Sequence, residues 1–137
     1  MRFARAILTR PAIFTFVFLI ANIFVFLLMT LQQGAEVSNL LVGFNPKILL
    51  AFGAKLNSLI NGRPHEWWRF VTPVFIHAGI IHLLFNMYGL WVLGPFVERL
   101  YGSAKFVVFW VVTGVAGVVG SYLTVRPDLH TGALGLM

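Results

Sequence analysis

Cysteine is absent from the 137 residues, so neither a disulfide nor a thiolate metal site can be built. Charge is scarce as well. Asp and Glu number 4 together, and all charged residues make up 10% of the chain. A soluble domain of this size carries about a quarter. With 59% hydrophobic residues and a mean hydropathy of +0.89, the chain has more apolar surface than one small core can hide. Lipid must be part of its solvent. The net charge is +6, yet the basic residues are scattered from Arg2 to Arg126 with no RNA or DNA motif beside them. No nucleic-acid partner is expected. Basic residues that flank apolar spans act instead as orientation signals.

Residues 1–10 form a basic N-terminus carrying Arg2, Arg5 and Arg10. Residues 11–31 are an uncharged apolar run, long enough to cross a bilayer, with Asn22 as its one strongly polar side chain. The run exceeds the ~7–15 apolar residues of a signal peptide, and Gln32-Gln33-Gly34 is a poor cleavage site. A retained first span with a cytoplasmic N-terminus is expected. Residues 32–79 make a long connection. Within it, Pro46 opens a helix, and Ile48, Phe52, Leu56 and Leu59 form one stripe widened by Leu49 and Ile60. Asn57 and Ser58 lie off the stripe, and Lys47 and Lys55 flank it. The expectation is one amphipathic helix lying half-embedded at the interface.

Gly79 caps a second span from Ile80 to about Val97. Glu98 to Lys105 reads as a short charged cytoplasmic turn, and Lys105 to Thr124 as a third span. Gly114, Gly117 and Gly120 predict a face for close helix packing, as does Gly89 on the second span. After a loop from Arg126 to His130, Thr131–Met137 begins an apolar segment too short to span. That is the pattern of the front part of a longer protein. The fold class is therefore an all-α, multi-pass membrane bundle: three spans and the start of a fourth.

The polar residues concentrate between Glu66 and Asn86. Groups that are costly in a membrane mark functional positions. Trp67, Trp68 and Arg69 suit the headgroup level, with arginine reaching toward water. On a helix, His82 and Asn86 share one face with Gly89 and Leu93. Both can donate hydrogen bonds toward one point, which suits an oxyanion hole. Interhelical bonding, worth about 0.6–2 kcal/mol per contact, uses the same groups. A metal site of His77, His82 and His65 has only Glu66 as a carboxylate nearby, and asparagine is a poor zinc ligand. No metal and no cofactor are expected.

From about Gly43 to Met137 the chain resembles the rhomboid intramembrane serine proteases. The resemblance rests on Glu66-Trp67-Trp68-Arg69, on His77, His82 and Asn86 at their spacing, and on Gly94, Glu98, Arg99, Gly102 and Ser103. It implies a six-helix core and an aqueous cavity opening to the extracytoplasmic side. It also implies cleavage of membrane proteins in or near their transmembrane segments, in a bacterial-type cell membrane. His82 and Asn86 become oxyanion donors and His77 a supporting residue. Glu66, Trp68 and Arg69 become part of the half-embedded first loop. Two departures follow. The family's nucleophile sits in a Gly-x-Ser-Gly turn, and here that turn reads Gly132-Ala133-Leu134-Gly135. The family's histidine base lies on the sixth helix, and this chain ends before it. The expectation is a chain that does not hydrolyse peptide bonds as given. The alternative role is a catalytically dead relative that binds transmembrane clients.

Overall fold

The computed structural model describes residues 10–34, 43–62 and 64–124. Helix α1 spans Ile13–Gln33, α2 Pro46–Phe52, α3 Asn57–Asn61, α4 Ile80–Tyr101 and α5 Ser103–Thr124. Two 3-10 turns, Trp67–Phe70 and Thr72–Phe75, lie between α3 and α4. Helices α1, α4 and α5 are each long and apolar enough to cross a membrane.

One stripe of α1 is buried: Thr15, Phe18, Asn22, Phe26 and Met29, at steps of three and four. Its other faces expose Phe16, Ile20, Phe24, Leu27 and Leu31. In a bilayer such faces meet lipid at no cost. Helix α4 runs antiparallel to α1. Phe26 and Leu83 share a core with Met29, Phe44, Leu49 and Ile76 at one end, and Thr15 meets Gly94 and Glu98 at the other.

That second junction corrects the sequence reading. Glu98 and Arg99 do not sit in a turn; they belong to α4, which continues to Tyr101 before Gly102 reverses the chain at φ +87°. The reason is a tertiary cap. Ala12, before α1, makes no side-chain cap, and the first amides of a helix have no partner inside it. Glu98 supplies one from α4. Its carboxylate accepts from Phe14 N at 3.0 Å, from Thr15 N at 2.8 Å and from Thr15 Oγ1 at 2.8 Å. Ser103 Oγ adds a fourth bond at 2.7 Å. A negative group also suits the positive end of a helix dipole. Arg99 Nε donates to Arg10 O at 3.0 Å, fastening the residue just before α1.

The expected single amphipathic helix is also corrected. It breaks at Gly53, whose φ of +103° ends α2 in the left-handed region. The segment then turns inward. Lys55 is wholly buried and donates to Ser121 Oγ at 3.0 Å. Asn57 Nδ2 donates to Tyr122 O at 3.0 Å. Tyr122 Oη donates to Asn61 at 2.6 Å. The loop thus holds the last turn of α5, where carbonyls lack helical partners and positive charge is favoured. Burial pushes the Lys55 ammonium below its usual pKa.

Close packing falls on Gly94, which the pattern did not single out, and on Gly114, which it did. A Cβ at Gly94 would meet Thr15 Cγ2 at 2.7 Å, so Gly94 is where α1 comes near α4. Gly114 accommodates Val74 of the second 3-10 turn. At Gly89, Gly117 and Gly120 nothing among the described residues lies within 4 Å of an added Cβ.

Candidate functional site

The two 3-10 turns are held from below by Arg69. Its guanidinium donates to Leu50 O at 2.9 Å, a carbonyl that also accepts from Gly53 N at 3.1 Å, and to Ala54 O at 2.8 Å, just past the end of α2. Its Nε pairs with the Glu66 carboxylate, and its carbon lies 4.3 Å from the Trp68 ring centre. Thr72 Oγ1 closes the same break by donating to Gly53 O at 2.6 Å. Arg69 is buried, so it does not reach toward water as its sequence context suggests. Its planar fork adds charge-assisted bonds that tie these carbonyls to the 3-10 turns. Trp67 and Trp68 remain exposed, as indoles at an interface do.

This scaffold delivers the chain to His77, which is 3% exposed. His77 packs edge-to-face against His82, ring centres 5.0 Å apart. Burial, with the nearby His82 next in weight, lowers the His77 pKa to about 4, against a weaker opposing pull from the Phe75 backbone. His77 is therefore neutral at pH 7. Its Nδ1 is buried with no hydrogen-bond partner among the described residues.

One turn apart on α4, His82 and Asn86 are exposed on the face that lines a cavity of about 670 Å³. The cavity lies between α1, α4, α5 and the second 3-10 turn, with His77 and Asn22 also in its wall. His77, His82 and Asn86 are thus brought together. Glu66, Trp68 and Arg69 stand behind them as scaffold. Glu98, Arg99 and Gly102 sit at the far end of α4 and line no part of this cavity. Leu134, at the expected nucleophile position, lies outside the described residues. Among the described residues no group of three His, Cys, Asp or Glu comes together. His65 points elsewhere, its Nδ1 3.3 Å from Ile60 O. The wall residue that sequence reasoning noted without placing is Asn22. Its signal was there: a lone amide in an otherwise apolar span.

A profile of the rhomboid domain matches residues 64–137. The chain belongs to the rhomboid family. Rhomboid protease GluP of Bacillus subtilis is 40% identical over 122 residues, 89% of this chain and 22% of that protein. The putative rhomboid protease YdcA of the same organism is 42% identical over 71 residues, 51% of this chain and 36% of that protein. Inactive RHOMBOID-like protein 8 of Arabidopsis thaliana is 32% identical over 71 residues, 50% of this chain and 20% of that protein. The chain therefore spans about a fifth to a third of the length of these relatives. No solved structure matches it with significance. Family and spans together make it an integral membrane protein, with the lipid bilayer as its surroundings.

Proposed function

We propose that this rhomboid chain carries the oxyanion-donor wall of an intramembrane serine protease site, and that in its present sequence it engages transmembrane segments without cleaving them. The observation that carries the second half is Leu134. It stands in Gly132-Ala133-Leu134-Gly135, where the family places serine, and a leucine side chain has no nucleophilic atom. What remains is binding and polarisation. His82 and Asn86 face the cavity and have no hydrogen-bond acceptor among the described residues. They are placed to donate to a carbonyl oxygen of a bound segment. His77, neutral and packed on His82, holds that ring in place.

In this reading the N-terminus is cytoplasmic, the cavity opens to the extracytoplasmic side, and the membrane is of the bacterial cell type. Residues 32–79 are the half-embedded loop, and residues 80–137 the two following spans and the start of a fourth. A catalytically dead, client-binding role is favoured by the relative whose name marks it as inactive and which matches half of this chain. The test places a photo-crosslinking amino acid at Phe85, on the cavity wall, in the chain reconstituted with a single-span membrane protein. Crosslinking that is lost when Asn86 becomes alanine supports the reading. No adduct, or an adduct accompanied by cleavage of the partner, overturns it.

A further inference from the structure

At the loop end of the spans Glu66 pairs with Arg69. At the opposite end, where α4 turns into α5, stand Arg10, Arg99 and Lys105, with no acidic partner among the described residues. Glu98, the acid of this end, is 1% exposed and already accepts from four donors. Arg10 and Lys105 are exposed. Lys105 also sits at the mouth of a groove. Ala104, Lys105, Val108, Phe109, Val112 and Thr113 share one face of α5 and line about 460 Å³. Val108, Phe109 and Val112 are exposed there. Thr113 spends its hydroxyl on Phe109 O at 2.8 Å. Lys105 is thus the charged group of an otherwise apolar trough. From Ala104 to Thr113 the trough runs about 13–14 Å at ~1.5 Å per residue. That is close to half the ~30 Å hydrocarbon core, the depth of one leaflet.

We propose that this groove holds an anionic phospholipid of the adjoining leaflet, with its phosphate on the Lys105 ammonium and one acyl chain along Val108, Phe109 and Val112. Charge decides the occupant. A basic residue at the bilayer surface attracts an anionic headgroup, and further basic residues at the same end add to the pull. The start of α5 reinforces it: a helix N-terminus favours an anion, yet the first turn holds no acidic residue. A second copy inserted the same way up brings its own cationic end to the same depth, where like charges repel. Depth agrees with the lipid. A packed helix covers a face through both leaflets, whereas this groove ends near the middle. The site stands whether or not the chain captures or cleaves a client.

Native mass spectrometry of the full chain, released from detergent, reads the bound lipid directly. The delipidated chain is titrated with equal amounts of palmitoyl-oleoyl phosphatidylglycerol and phosphatidylcholine. Retention of phosphatidylglycerol is expected to exceed that of the zwitterionic lipid by on the order of tenfold. Lys105→Gln is expected to lower it about fivefold. Lys47→Gln, which removes an exposed lysine at the other end, leaves it unchanged. Val108→Trp fills the groove while keeping every charge, and lowers retention as Lys105→Gln does. Glycerophosphoglycerol, the same headgroup without chains, does not displace the lipid. Equal retention of the two lipids, an equal loss in Lys47→Gln, full retention in Val108→Trp, or displacement by the bare headgroup overturns the proposal. So does a dimer that forms in place of the lipid complex and is lost in Val108→Trp, which assigns the groove to a second copy.

Discussion

A buried carboxylate is tolerated only when its oxygens are occupied, and Glu98 shows how a membrane protein arranges that. It is 1% exposed and accepts from two amides and two hydroxyls. Glu98→Ala strands the amides of Phe14 and Thr15 and is expected to cost about 3 kcal/mol or more, since hydrogen bonds to charged groups contribute ~1.5–3 each. Glu98→Gln keeps part of the cap and costs less. Unfolding in a detergent titration measures the difference. Arg69→Lys is not conservative here, because an ammonium cannot reach Leu50 O, Ala54 O and Glu66 together. It is expected to lose about 1–3 kcal/mol and to leave the α2–α3 break open to proteolysis. His77 makes stability depend on pH. Its folded pKa of about 4 lies below the ordinary histidine value of 6.5. Above that value the imidazole is neutral in both states and contributes nothing. As pH falls from about 6.5 toward about 4, the unfolded chain takes up the proton first. Stability then drops by on the order of 3 kcal/mol and levels off below. Detergent unfolding at pH 7, 5.5 and 4 is expected to show this fall, and His77→Asn to flatten it.

Among the elements, both long-range caps join parts of the chain far apart in sequence. Glu98 closes the start of α1 from 83 residues away. Lys55 and Asn57 hold the end of α5 from 66 and 65 residues away. This distance explains what the sequence revealed and what it hid. The three spans were legible, because an apolar run of bilayer length reports on its own composition. The face shared by His82 and Asn86 was legible, because helical spacing is local. The charged pair Glu98–Arg99 read as a turn because its partners, Phe14, Thr15 and Arg10, cannot be seen from its neighbours. Lys55 read as a flank for the same reason. The break at Gly53 was masked by a stripe that continues in step across it, from Phe52 to Leu56. Gly53→Ala tests that break directly. The new Cβ would sit at φ +103° and meet Thr72 Oγ1 and Trp68 Cζ3 at 2.6 Å. A loss of about 1–3 kcal/mol is expected, measured by detergent unfolding, with α4 and α5 still inserted.

At the scale of the whole molecule, the two ends of the membrane layer are built differently. At one end Glu98 and Arg99 lock α1 to α4. At the other, the Arg69 scaffold carries His77 over α4 and the cavity opens beneath it. Between them the helices present apolar faces that lipid can cover, and Asn22 is the one buried amide of the first span. On the proposed reading, His82 and Asn86 form a donor wall that lacks a nucleophile, because leucine stands at position 134 of the Gly132–Gly135 stretch. The decisive measurement is on catalysis itself. The purified chain is reconstituted in liposomes with a fluorescent transmembrane peptide and, in parallel, exposed to a fluorophosphonate that phosphonylates only activated serines. The account predicts no cleavage product and no labelled chain. Cleavage that tracks with the chain and is abolished by Asn86→Ala, or a fluorophosphonate adduct on any of its serines, would contradict it.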